Sequence, residues 1–148
     1  MQNTFVAQVE DLELVLSCHK PPHDVDLRQR LRDRIEAGNC YFIRRGREVA
    51  GYIVMEYSFF DLGFITMVYT VPGWRRQGIA SLLIQYAEKL CRTEKIFIST
   101  NRSNQPMRSL LNKLDYTYSG EVDNLDEGDP EHFFCRRLSV DNSRKLAV

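Results

Sequence analysis

Apolar residues recur along this chain with two periods, one of two residues and one of about three and a half, and the switches between them delimit its elements. Thr4–Val9 reads as a short strand. Asp11 is placed to cap a helix running to about Cys18, with Leu12, Val15 and Leu16 turned inward. His19-Lys-Pro-Pro-His23 breaks it, because two prolines remove donors and restrict their neighbours. A second helix follows over Asp24–Ala37, with Leu27, Leu31 and Ile35 forming its inner stripe, and Gly38-Asn39 ends it. Cys40–Arg45 and Val49–Tyr57 pair through a tight turn at Arg45-Gly-Arg47. Ser58–Gly63 reads as a loop carrying an exposed aromatic pair, Phe59 and Phe60.

A central strand, Phe64–Val71, stops at Pro72, and a basic turn leads into an amphipathic helix from about Gln77 to Leu90. Lys95–Thr100 follows without a hairpin, so strand, helix and strand form a crossover with parallel strands. Asn101–Gln105 is polar and turn-like. Pro106 fits the first turn of a helix ending near Leu114, with Met107, Leu110, Leu111 and Leu114 inward. Tyr116–Val122 and His132–Leu138 complete the strands around the acidic turn Asp123–Glu131, and Ser139–Val148 is expected to fray. The sum is an α+β domain, of two or three layers, around a mixed sheet.

At 148 residues one domain with a full core is expected. A formal net charge of zero argues against a nucleic-acid binder, and no segment has the length of a signal peptide or a membrane span, so a cytoplasmic protein is expected. Cys18, Cys40, Cys91 and Cys135 are far apart and form no C-x-x-C pattern, which predicts reduced, largely buried thiols. Cys18, His19 and His23 beside two prolines lack a partner cluster, and no metal site is expected.

The richest candidate chemistry lies at Pro72–Ser81. A strand, a glycine-containing turn and a helix N-terminus present unpaired amides and the positive end of a helix dipole to an anion. Arg75 and Arg76 add fixed charge, and Gly78 permits close approach. Trp74 either shields this turn or covers nearby apolar surface. A G-x-x-x-x-G-K loop is absent, which excludes that class of nucleotide site.

Arg75-Arg76-Gln77-Gly78-Ile79-Ala80 resembles the signature of the Gcn5-related N-acetyltransferase (GNAT) superfamily: Arg or Gln, two residues, Gly, one residue, then Gly or Ala. Val68-x-Thr70-Val71-Pro72 resembles the strand before it, and the order of elements agrees over about residues 4–138. Ser99–Asn104 and Ser119–Glu131 resemble a bacterial subgroup whose acceptors are largely unassigned. The resemblance implies a splayed, mostly antiparallel mixed sheet of about six to seven strands with about four helices. It implies acetyl coenzyme A as donor, with its diphosphate on the amides of Arg76, Gly78, Ala80 and Ser81, and Arg75, Gln77 and Ile79 in the same turn. It implies a pantetheine arm paired along Val68 and Thr70, and a cofactor contact from Asn104.

Acetyl transfer to an amine needs a proton acceptor for the ammonium and donors for the oxyanion. Glu56 at a strand end is the first candidate base, with Asp61 of similar standing. Tyr69 on the central strand is placed either to line the cleft or to pack the sheet. The family's helix tyrosine falls at Leu111, and the glycine after that helix is Asp115. Tyr116 or Tyr118 could replace the missing hydroxyl, or the thiolate could leave unaided. The acidic turn would attract a cationic amine if it rimmed the cleft. Phe59 and Phe60 could form an acceptor wall or a dimer contact, and monomer and homodimer both remain open. The leading expectation is an N-acetyltransferase. The alternative is a non-catalytic sensor that binds coenzyme A or its acetyl thioester.

Overall fold

In the computed structural model of the chain, residues 3–138 are described. The expected frayed tail, 139–148, lies outside them. The strands are β1 (Thr4–Val6), β2 (Cys40–Arg45), β3 (Glu48–Phe59), β4 (Leu62–Thr70), β5 (Lys95–Asn101), β6 (Thr117–Val122) and β7 (Glu131–Arg137). The helices are α1 (Leu12–Leu16), α2 (Val25–Glu36), α3 (Ile79–Leu90) and α4 (Gln105–Lys113). The sheet has seven strands in the order β1-β2-β3-β4-β5-β7-β6. β4 and β5 run parallel, as the crossover requires, whereas β1/β2, β2/β3, β5/β7 and β6/β7 are antiparallel. The chain divides into two compact units: residues up to 55 with 67–87, and 56–66 with the residues from 88 on.

The first unit is built on α1, α2 and the first strands. Leu12, Val15 and Leu16 of α1 and Leu31 and Ile35 of α2 close over Cys40, Phe42, Tyr52 and Val54. Each such buried aliphatic side chain contributes about 1.5–3 kcal/mol. Asp24 caps α2 by accepting from the Asp26 amide at 2.8 Å. Asp11 acts differently from expectation. Its carboxylate reaches back to the Gln8 amide at 2.8 Å and closes a 3-10 turn, Val9–Asp11, ahead of a shorter α1. Gly51 of β3 lets the backbones approach closely: a Cβ there would lie 2.4 Å from the Tyr69 carbonyl oxygen and 3.1 Å from Ile79 Cγ2.

In the second unit, Ile96, Ile98, Leu111 and Phe134 are buried, and Gly63 abuts the Cys91 thiol. The expected loop at 58–63 is instead a two-residue hairpin turn. β3 runs to Phe59, β4 starts at Leu62, and Phe60 and Asp61 have φ of 54° and 61°. Two successive left-handed residues make the turn that matches strand twist, but Phe-Asp lacks the Asn-Gly composition that announces it. Phe59 is also not an exposed partner of Phe60; it is half-buried and stacked 4.8 Å from Phe64.

Candidate active site

β4 carries the site's backbone. Its burial alternates through Ile65 and then stops alternating, so Thr66–Thr70 are all half-buried. The parallel ladder with β5 covers only Gly63–Ile65 against Ile96–Ile98, and β4 outruns it to Thr70. Val68 and Thr70 lie on this extension. After it, Pro72–Trp74 form a 3-10 turn, Arg75 is extended, and Arg76 and Gly78 take φ of 62° and 79°. Left-handed residues at 76 and 78 bend the chain sharply between β4 and α3. α3 starts at Ile79, two residues later than the sequence suggests, because Gly78 is left-handed and its carbonyl accepts the first helical bond, from the Leu82 amide at 3.0 Å. The amides of Ile79, Ala80 and Ser81 precede that bond and so face the helix entrance. Arg75, Arg76, Gln77 and Gly78 are exposed, Ile79 is buried, and Ala80 and Ser81 are half-buried. Gln77 Nε2 reaches the Gly73 carbonyl at 3.4 Å, and Trp74 Nε1 donates to Glu48 at 3.2 Å.

In the same unit, Tyr69 packs its ring 4.3 Å from that of His19, and His19 Nε2 lies 2.8 Å from the Tyr52 hydroxyl. Burial, and then His23, holds the His19 pKa below its ordinary value, so the ring is neutral at pH 7. Burial pushes the Cys18 and Cys40 thiols up to about 12, which removes them as nucleophiles. Among the described residues no group of three His, Cys, Asp or Glu side chains is placed to hold an ion.

The other candidates lie in the second unit. Glu56 is half-buried and accepts from Thr66 Oγ1 at 3.0 Å. Tyr116 is 4% exposed, and its hydroxyl donates to Glu88 at 2.7 Å. Glu88 also accepts from Arg136 at 2.6 Å. Burial and the Glu88 charge raise the Tyr116 pKa far above the ordinary tyrosine range. This triad escapes sequence reasoning, although a glutamate four residues after Ile84 on the apolar stripe of α3 signals a buried partner. Asn104 caps α4, accepting from the Met107 amide at 3.3 Å and donating to Thr100 at 3.0 Å. The acidic turn is tied to its own surroundings. Asp129 accepts from the Ser103 hydroxyl at 2.6 Å, which holds its pKa down, and Asp126 accepts from Asn101 at 2.8 Å.

Residues 7–116 match the Acetyltransferase (GNAT) family. The chain belongs to the GNAT acetyltransferase family. A GNAT acetyltransferase from Bacillus cereus ATCC 10987 is 32% identical to it, over 93% of this chain and 97% of that one, with a TM-score of 0.86. NAA60 from Arabidopsis thaliana, solved with a bisubstrate analogue, shares the fold at 13% identity, over 91% and 97% of the two chains, with a TM-score of 0.69. A Bacillus anthracis protein solved in complex with acetyl coenzyme A shares it at 16% identity, over 67% and 61%, with a TM-score of 0.59. No curated protein matches the chain. Acetyl coenzyme A fits the family as acetyl donor. No helix among the described residues is long and apolar enough to cross a membrane.

Two departures from the GNAT pattern take physical form here. Leu111, at the position of the family's tyrosine, is fully buried and supplies packing in place of a hydroxyl. Asp115, at the position of the family's glycine, takes φ of 67° while the Tyr116 amide donates to the Leu111 carbonyl at 2.9 Å. That is a left-handed helix stop, a conformation glycine adopts with less strain.

Proposed function

We propose that this chain is a single acetyltransferase domain, over about residues 4–138, that moves the acetyl group of acetyl coenzyme A directly onto a primary amine. The observation that carries this reading is the turn itself: left-handed Arg76 and Gly78 open onto the N-terminus of α3 in a GNAT chain. In this reading the amides of Arg76 and Gly78–Ser81 hold the diphosphate, with Arg75 and Gln77 flanking it. The pantetheine arm pairs along Val68 and Thr70, where β4 outruns its ladder. The ammonium first gives a proton to Glu56 or to an ordered water. The amine nitrogen then attacks the thioester carbonyl; the C–N bond forms, the C–S bond breaks, and the second proton of the nitrogen passes to the departing thiolate, directly or through water, so that the products are the amide and the free thiol of coenzyme A. A β4 amide is the donor for the transient oxyanion. Tyr69 packs the acceptor side of the same strand. Tyr116 is left out of the chemistry, since its hydroxyl is buried against Glu88. The free cysteines fit a reducing, cytoplasmic setting.

A second reading, a non-catalytic sensor of coenzyme A, draws support from Leu111, which leaves the later helix without the family's hydroxyl. A thiol-release assay over a panel of amines, run beside calorimetric titration with acetyl coenzyme A, separates the two. Transfer predicts donor-dependent thiol release with at least one amine. Tight binding with no release across the panel sinks the transfer reading and leaves the sensor.

A further inference from the structure

The strands of the second unit carry a feature that donor binding does not use. Residues paired directly across antiparallel strands share a face. Phe97 pairs with Cys135, Ser99 with Phe133 and Asn101 with Glu131, so these side chains lie together, while Ile96, Ile98 and Phe134 fill the opposite, buried face. Phe64, beside Phe97 in the parallel ladder, joins them. Phe59 gathers the rings: its centroid lies 4.8 Å from Phe64, 5.2 Å from Phe97 and 5.6 Å from Phe133. All four are half-buried, and Phe60, edge-on to Phe59 at 5.0 Å, is 83% exposed. A core would hide such rings; this face leaves them partly wet.

One step along the same face, the ladder of β4 and β5 ends at Ile65 and Ile98. The next residues, Thr66 and Ser99, each turn a hydroxyl to a carboxylate. Thr66 donates to Glu56 at 3.0 Å and Ser99 to Glu131 at 2.8 Å. Both carboxylates are half-buried. Among the described residues, no cationic side chain pairs with Glu131. A half-buried carboxylate such as Glu131, beside a neutral hydroxyl, favours a cation from outside. Beside aromatic rings, that cation is best an ammonium on an apolar or aromatic body, because ring faces attract both parts.

We propose that this row is the acceptor subsite, with Glu131 binding the ammonium of a cationic primary amine and the phenylalanine rings receiving its apolar body. The inference rests on the transfer reading above. Glu131 is a specificity residue here, and it is not the proton acceptor.

Wild type and Glu131→Gln are compared with 2-phenylethylamine and ethanolamine as acceptors. Glutamine keeps the acceptor for Ser99 and removes only the charge. Wild type is expected to use 2-phenylethylamine with a kcat/KM at least tenfold above that for ethanolamine. In Glu131→Gln the KM for 2-phenylethylamine is expected to rise at least tenfold, with kcat within threefold and with donor affinity and melting temperature unchanged. Phe97→Leu is expected to cut the preference between the two amines at least threefold. Unchanged KM in Glu131→Gln, or no preference in wild type, overturns the proposal. If wild type releases no thiol with any amine, the transfer reading fails separately. Titration of donor-loaded protein with 2-phenylethylamine then decides the subsite: binding weakened tenfold by Glu131→Gln upholds it, and absent or unaltered binding overturns it.

Discussion

Replacing Tyr116 with phenylalanine separates a structural tyrosine from a catalytic one. The substitution deletes one hydroxyl, 4% exposed as a residue, whose hydrogen bond to Glu88 is 2.7 Å long. Glu88 keeps its 2.6 Å bond from Arg136, so the carboxylate is weakened but not abandoned. Hydrogen bonds to charged groups contribute about 1.5–3 kcal/mol, and with the second donor intact about 2 kcal/mol is expected. For a chain of this size that lowers the melting temperature by about 4–8 °C. Loss of a proton donor would instead slow turnover by about a hundredfold or more. Thermal unfolding followed by circular dichroism, beside thiol release at saturating substrates, reads both quantities. The expected result is a lower melting temperature with kcat within about twofold of wild type. An unchanged melting temperature with turnover reduced by two orders of magnitude would refute the structural assignment and return Tyr116 to the chemistry.

Three further outcomes follow from other parts of the molecule. Gly51→Ala forces a Cβ to within 2.4 Å of a backbone oxygen, which cannot yield as a flexible side chain can; a loss of about 2–4 kcal/mol in urea unfolding is expected, and less than about 0.5 kcal/mol would contradict the close approach of β3 to Tyr69. Asp115→Gly relieves a left-handed residue at the end of α4 and is expected to stabilise the protein by about 0.5–1 kcal/mol in the same assay. His19 has a folded pKa below its unfolded value near 6.5, so the unfolded state binds the proton first as the pH falls. Its contribution to stability is therefore complete above about pH 6.5 and is lost as the pH falls through the lower folded value. His19→Gln is expected to flatten the stability profile between about pH 5 and 7, and an unflattened profile would contradict the burial assigned to this ring.

Much of this architecture was legible because periodicity reports burial. The stripe Leu31 and Ile35 of α2 and the apolar face of α3 each follow from one buried side of one element. The parallel crossover followed from the missing hairpin before Lys95. What sequence hid depended on partners far along the chain. Phe60-Asp61 forms a tight turn because the strands on either side demand it, against the usual composition of such turns. Glu88, Tyr116 and Arg136 are separated by up to 48 positions, and no local pattern joins them. Ser99 and Glu131 meet only through the register of β5 with β7. The turn before α3 was the reverse case, since its glycine, its arginines and its following helix are all local.

Donor recognition is tested most directly by a crystal structure of the protein bound to acetyl coenzyme A. The diphosphate is expected within hydrogen-bonding distance of the amides of Gly78, Ala80 and Ser81, beside Arg75 and Arg76. A well-ordered donor whose diphosphate lies elsewhere, with that turn bare, would contradict it.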